Sequence, residues 1–320
     1  MPQKMRVVNG TDYTKSLKER GKIFTLVNRI LSSQTNNHLK IGKGECKYSN
    51  HFIVSMYTVG YILNLPLRQL CGFFEDYAQQ NNYNLDIPNF STLSRRLKNI
   101  NLTVIDKRPK YALHQEIGIS IDSSTVSIYA NTSHHDKQNA KYRKYFRYEQ
   151  TRKMHISLDM SSKNVNAFLY TKGTFKDHLA FPKLITTLSK ANIKSAIADR
   201  AYDYELCYQA CHIRDIEPII PPKITAAYRT GNIFHYRNQA RMTIQNYRDY
   251  ETGLLAWKNE KRYGRRSCIE TFFSRFKTIF KFSMKNKTEE NRQKELVIKC
   301  NILNQFNRLG MPKFKLVNED

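Results

Sequence analysis

The chain has 320 residues, and its 53 Lys/Arg against 27 Asp/Glu give a formal net charge of +26. That is length enough for two domains, one with a sizeable core, and a large positive excess for a soluble enzyme. The excess is no terminal tail, because residues 1–110 carry 17 cations against 7 acids, a balance of +10, and residues 111–320 carry the remaining +16. Both halves therefore face a polyanion, and nucleic acid fits best, since neutralising phosphates releases counterions. The most apolar stretch, residues 52–67, is interrupted by Ser55, Thr58, Asn64 and Pro66, too short and too polar to cross a bilayer. The six cysteines form no C-x-x-C pair. Cys207 and Cys211, followed by His212, are at most half a zinc set and read as buried thiols. With no signal sequence at the start, the expected setting is reducing and cytoplasmic or nucleoid-associated, away from membrane.

Residues 1–50 are basic and weakly periodic, with one helix expected around 15–31. From 51 to 100 the pattern is helical. Phe52, Tyr57, Val59 and Ile62 suit a helix ending near Asn64. Pro66 suits the first turn of a second helix reaching Gln80. After a polar loop, Asn89 or Ser91 can cap a short helix carrying Thr92, Ser94, Arg95, Arg96 and Lys98. Over 66–100 this resembles a helix-turn-helix reader of DNA, with Arg95 and Arg96 on its exposed helix. A helical bundle with a charged surface fits equally well. Residues 1–110 are assigned to this first, helical, DNA-binding region.

Around residue 110 the pattern changes to strands. Residues 116–122 alternate apolar side chains and end on Asp122, and 154–159 and 165–170 read as two more strands joined by a hairpin turn at 160–164. A helix is expected over 177–190. Residues 195–199 form a short apolar run of the kind found in a buried parallel strand, ending on Asp199. A helix over 203–213 and a strand at 217–220 follow. Residues near 223–258 are polar, with few hydrophobics, and are expected to form an irregular insertion. The segment Tyr142 to Tyr148 interleaves aromatics with cations, as suits DNA contact or an exposed loop.

The segment from Tyr263 to Lys277 reads as one amphipathic helix. Ile269, Phe272, Phe273, Phe276 and Phe280 form its apolar face. Tyr263, Arg266, Glu270 and Lys277 sit at offsets of 0, 3, 7 and 14, on one stripe. A last helix is expected over 289–308. Three strands, a helix, a strand, a helix, a strand and further helices make a mixed α/β domain over 111–320.

Asp122 and Asp199 end the two most convincing buried strands, the edge where ligands gather in open α/β sheets. If those strands are neighbours and the Glu270 helix packs on them, three carboxylates cluster. Such a cluster calls for a hard divalent cation with oxygen ligands. Two Mg²⁺ ions, with Mn²⁺ as a substitute, can activate a water or hydroxyl and stabilise the leaving oxygen of a phosphodiester.

These residues resemble the DDE transposases of bacterial insertion sequences, in particular the group typified by the fifth-numbered insertion sequence. Tyr263-x2-Arg266-x3-Glu270-x6-Lys277 matches the family's C-terminal signature at every defined position. Ile121-Asp122-Ser-Ser is similar to its first-aspartate motif and Ala198-Asp199-Arg-Ala-Tyr202-Asp203 to its second, with Arg200 where glycine is usual. Pro66-Leu-Arg-Gln69 and Ser91-Thr-Leu-Ser-Arg95-Arg96 resemble the N-terminal region, so the similarity runs from about 50 to 312. The resemblance implies an RNase H-like catalytic fold with Asp122, Asp199 and Glu270 as metal ligands. It implies that Arg266 and Lys277 hold transposon-end phosphates and that Tyr263 positions the strand. The implied reaction is hydrolysis at each terminal inverted repeat of double-stranded DNA, then attack of the freed 3′-hydroxyl on target DNA. The analogy extends to a homodimer pairing two ends.

The rival acids have structural explanations, Asp159 in a hairpin and Asp203 at a helix N-terminus. Trp257, the only tryptophan, either stacks on an unpaired base or anchors a core. A tyrosine recombinase is excluded because no histidine has arginine three residues on. A two-metal nuclease without strand transfer, and a decayed transposase acting only as a DNA-binding protein, remain as alternatives.

Overall fold

The computed structural model describes residues 4–38, 47–105, 115–128, 151–281 and 283–317. The Tyr142–Tyr148 run falls outside them. Two compact units emerge, Met1–Leu102 with Thr288–Asp320, and Thr103–Lys287.

The first unit is helical, with β1 (Lys4–Val7), α1 (Gly10–Arg20), α2 (Ile23–His38), α3 (Asn50–Ile62), α4 (Leu67–Gln80), α5 (Phe90–Asn99), α11 (Glu289–Leu309) and β7 (Phe314–Val317). β1 and β7 form an antiparallel pair. α3 is apolar nearly all round, burying Phe52, Ile53, Met56, Tyr57, Val59 and Tyr61, as a helix at the centre of a bundle must. Its first turn is capped by Ser49, which accepts from the Phe52 amide. The expected helix at 15–31 is two helices, α1 and α2, parted at Gly21. α5 begins where Asn89 accepts from the Thr92 amide at 2.8 Å. α11, read from the sequence as part of the second domain, packs on α1, α3 and α5. Periodicity marks which face of a helix is buried and is silent on what covers it.

The second unit holds β2 (Ile117–Ser127), β3 (Thr151–Asp159), β4 (Val165–Lys172), α6 (Asp177–Thr187), β5 (Ile193–Ile197), α7 (Glu205–His212), β6 (Glu217–Ile219), α8 (His235–Gln245), α9 (Tyr250–Glu260) and α10 (Ser267–Phe280). Its sheet runs β4-β3-β2-β5-β6. The β2–β3 and β3–β4 pairs are antiparallel, and β5 and β6 continue parallel to β2. This is an RNase H-like sheet flanked by helices. Odd-numbered residues of β2 (Ile117, Ile119, Ile121) pack with Phe181 and Leu184 of α6 and with Tyr208 of α7. Because side chains alternate along a strand, Ser120 and Asp122 project to the other face, where α10 packs on β2 and buries Phe272, Phe273, Phe276 and Phe280.

Two further expectations are corrected. The segment near 223–258 is largely helical, because Ala240, Ile244, Leu254 and Trp257 recur at helical spacing and pack on Ile197 and Ile219. α8 and α9 meet closely at Gly253, where a Cβ would fall 2.1 Å from the Ile244 carbonyl oxygen. A buried ion pair fixes this insertion: Arg237 Nε donates to Asp203 Oδ1 at 2.8 Å, with the partners 6% and 1% exposed. Second, Tyr263–Arg266 is a 3₁₀ turn entered through Arg262 in the left-handed region, φ 50°, and α10 starts only at Ser267.

Candidate active site

Asp122 lies within β2, opposite Ile156 of β3. The strand continues past it, so it is not the strand end that alternation suggested; what ends there is pairing with β5. The parallel register stops at Ser120↔Ile197, a separation of 77 residues, and 199 − 122 is also 77. Asp199 therefore leaves β5 beside Asp122, at the edge where β5 turns into the 3₁₀ turn Arg200–Tyr202. Its Oδ1 caps that turn, accepting from the Ala201 amide at 2.8 Å.

The third carboxylate comes from the first turn of α10, where Glu270 sits one turn after Arg266. Arg266 joins all three. Its Nη2 lies 2.8 Å from Asp122 Oδ2 and 3.9 Å from Asp199 Oδ2, and its Nη1 donates to Glu270 Oε1. Arg266 and Asp122 are 16% and 18% exposed, whereas Glu270 is 60% exposed. Burial opposes charge on Arg266, but Asp122, Tyr263, Asp199 and Glu270 outweigh it and raise its pKa. Burial also lifts Asp122 from 3.8 to about 6, against the pull of Arg266 and the Ser123 amide. Tyr263 donates to the Ala198 carbonyl at 3.3 Å, and burial pushes its phenol up to about 12. Lys277 is exposed two turns beyond Glu270.

The donor set has the chemistry of a divalent-cation site: three hard carboxylates from three separate elements, turned to one positive centre. Among the described residues, however, no group of three or more His, Cys, Asp or Glu side chains is gathered closely enough to hold a metal. Instead, the Arg266 guanidinium pairs with each of the three acids. The donors fit a cation, and Arg266 supplies one.

A raised carboxyl pKa carries a stability signature. Asp122 is raised in the fold relative to the unfolded chain, so its ionised form opposes folding above pH 6 and this penalty vanishes as pH falls below about 4. Asp122→Asn is therefore expected to stabilise the metal-free protein by about 2 kcal/mol at pH 8 and by little at pH 4. Denaturant melts at the two pH values check this; an equal effect at both would refute it.

Other predicted residues fall elsewhere. Trp257 is 2% exposed, within the core of α8, α9 and β6, its ring 5.9 Å from that of Tyr263. It anchors a core and offers no face to a base. Arg200, standing where glycine is usual, donates to the Tyr250 hydroxyl at 2.9 Å. Asp159 closes the hairpin, accepting from the Ser161 amide and Ser162 hydroxyl at 2.8 Å each. Asp203 is consumed by Arg237, Tyr208 and the Lys223 amide. Cys207 and Cys211 are buried thiols, the former pushed up to about 12 by desolvation, which disfavours the thiolate a metal needs. In the first unit, Arg96 donates to the Tyr48 carbonyl and to Asn50 Oδ1 at 2.9 Å each, while Arg95 is exposed.

Sequence reasoning passed over a polar cluster on the far face of β2. Asp177 Oδ1 accepts from Ser123 Oγ at 2.8 Å and from Lys153 Nζ at 2.9 Å. His155 Nδ1 lies 3.6 Å away. His155 is fully buried, and desolvation lowers it to about 4, so it is neutral at physiological pH. Only the position of Asp177 at a helix start hinted at any role.

A family model described as "Transposase DDE domain" matches residues 113–304, and a second model with that description matches 18–131. The chain belongs to the DDE transposase family. The transposase is thus an enzyme of metal-dependent DNA cleavage and transesterification, and it binds DNA. Its family uses divalent metal ions. Among solved structures, the chain is similar to "Drosophila P element transposase strand transfer complex", with 10% identity and a TM-score of 0.33, covering 86% of this chain and 69% of that one. That likeness is too loose to transfer any residue. Among the described residues, no helix is long and apolar enough to cross a membrane.

Proposed function

We propose that the transposase cuts the terminal inverted repeats of a bacterial insertion sequence and joins the freed 3′-hydroxyls to target DNA, with Asp122, Asp199 and Glu270 as its metal ligands. The observation that carries this reading is that all three carboxylates, from β2, the end of β5 and α10, meet on the Arg266 guanidinium. Two Mg²⁺ ions, or Mn²⁺ in their place, supply activation of the attacking oxygen and charge stabilisation of the leaving one. Asp122 and Asp199 are held by strand register and by a cap, so their oxygens are oriented before substrate arrives. Glu270, exposed on a helix, completes the set from the solvent side. Arg266 and Lys277 hold end phosphates, Tyr263 positions the strand, and a homodimer pairs two ends. The setting is the bacterial cytoplasm, at the nucleoid.

The test is to incubate the purified protein with its own element ends and Mg²⁺ or Mn²⁺ and map the strands. Cleavage at the repeat termini followed by joined products supports the reading. Cleavage without joined products indicates a two-metal nuclease, and binding without cleavage a decayed copy.

The helical first unit reads the terminal repeat through α5. Arg96 is tied to Tyr48 and Asn50, so the exposed Arg95 is the arginine that α5 offers to phosphate. Arg95→Ala is expected to weaken binding across sequences and lower the slope of log affinity against log salt by about 1. An unchanged slope in fluorescence-anisotropy titrations would remove Arg95 from the interface.

A further inference from the structure

The Asp177 cluster lies directly behind the site, and nothing in the three-carboxylate reading uses it. Ser123 stands opposite His155 in the β2–β3 register, on the face away from Asp122. It makes two bonds in opposite directions. Its amide donates to Asp122 Oδ1 at 2.8 Å, and its hydroxyl donates to Asp177 Oδ1, also at 2.8 Å. Asp177 is itself fixed by Lys153, whose ammonium also donates to the Phe175 carbonyl at 3.1 Å. His155 closes the cluster from below, with Nε2 2.9 Å from Thr171 Oγ1.

A strand peptide that offers its amide to a carboxylate sets that carboxylate's rotamer only if the peptide itself cannot rock. Here β2 has already lost its β5 partner at Ser120, so on that side the described residues give the peptide no ladder bond to hold it. We propose that Asp177 is a positioning residue for the DNA-cleavage reaction: with Lys153 it clamps the Ser123 hydroxyl, which fixes the peptide that orients Asp122. The inference rests on the reading of Asp122 as a ligand, and it adds a fourth carboxylate that works from the opposite face of the sheet.

The test compares Ser123→Ala, Ser123→Thr, Asp177→Asn and Asp122→Asn with the wild type. The readouts are single-turnover end cleavage, DNA affinity, thermal midpoint, and Mn²⁺ binding without DNA by electron paramagnetic resonance. Ser123→Ala and Asp177→Asn are expected to lower cleavage and Mn²⁺ affinity by about 10- to 100-fold, with DNA affinity within about twofold. Ser123→Thr, which keeps the hydroxyl, is expected to recover most of both. Ser123→Ala leaves the Lys153–Asp177 pair intact, so it decides the matter if Asp177→Asn fails to fold. Wild-type cleavage and Mn²⁺ affinity in Ser123→Ala, beside an inactive Asp122→Asn, would overturn the positioning role alone. So would losses that follow the thermal midpoint and spare Mn²⁺ binding. An active Asp122→Asn would instead overturn the reading of Asp122 and this inference with it.

Discussion

Asp122→Asn, Asp199→Asn and Glu270→Gln are each expected to lower Mg²⁺-dependent end cleavage by at least about 10³-fold while leaving end binding nearly intact. The size follows from what an amide removes. It keeps the shape of the side chain but supplies one neutral acceptor oxygen where a charged ligand stood, and groups that act as a unit fail together. The fold should survive each change. Asn at 199 can still accept from the Ala201 amide through its oxygen, and Glu270 is mostly exposed. Asn at 122 removes a carboxylate whose ionisation opposes folding at neutral pH. Gel assays of labelled element ends, paired with anisotropy for binding, separate the two effects. Asp199→Asn is the most exposing of the three, because that residue lies beyond the hydrogen-bonded register and its place at the site rests on loop geometry. Near-wild-type cleavage by Asp199→Asn would remove it from the ligand set.

Much of this site could be read from the sequence because its parts are local. An apolar run ending on an acid marks Asp199. A four-residue step on a helix puts Glu270 within reach of Arg266, and the structure joins that pair across the boundary of the 3₁₀ turn and α10. The common separation of 77 residues aligns Asp122 with Asp199, but only after the parallel register is known. What stayed hidden is tertiary. Asp177, Lys153 and Ser123 are spread over more than fifty residues and share no period, so no spacing rule gathers them. Arg237 reads as a surface cation, yet it is buried against Asp203, and its helix lies where the sequence predicts an irregular insertion. Cations and amides outnumber the few apolar residues of α8, which obscures its period. The 3₁₀ turn at Tyr263 depends on the left-handed Arg262, a conformation that no side-chain pattern encodes.

Arg266 has the second large expected effect, and its two halves have opposite signs. Arg266→Ala is expected to lower end cleavage by at least about 10²-fold, yet to tighten Mn²⁺ binding by the DNA-free protein by about 100-fold. The cause is electrostatic. In the free protein the guanidinium already pairs with Asp122, Asp199 and Glu270, so an incoming cation must compete with a charge already in place. A divalent ion about 4 Å from a guanidinium at an effective dielectric of 20 is repelled by about 8 kcal/mol. A flexible side chain that can swing aside relieves most of this, leaving about 2–3 kcal/mol, or about 100-fold in affinity. End DNA changes the balance, because a phosphate gives the guanidinium another anion and frees the acids for metal. On the proposed reading the same residue guards the carboxylates before DNA arrives and grips the DNA afterwards, so its loss is expected to improve one equilibrium and damage the reaction. Trp257, the only tryptophan, packs 5.9 Å from the Tyr263 ring in the turn that carries Arg266, so its fluorescence can follow the exchange during Mn²⁺ titrations with and without end DNA. Equal Mn²⁺ affinity in the wild type and Arg266→Ala would mean that the guanidinium does not compete for the carboxylates. Its role would then reduce to holding phosphate.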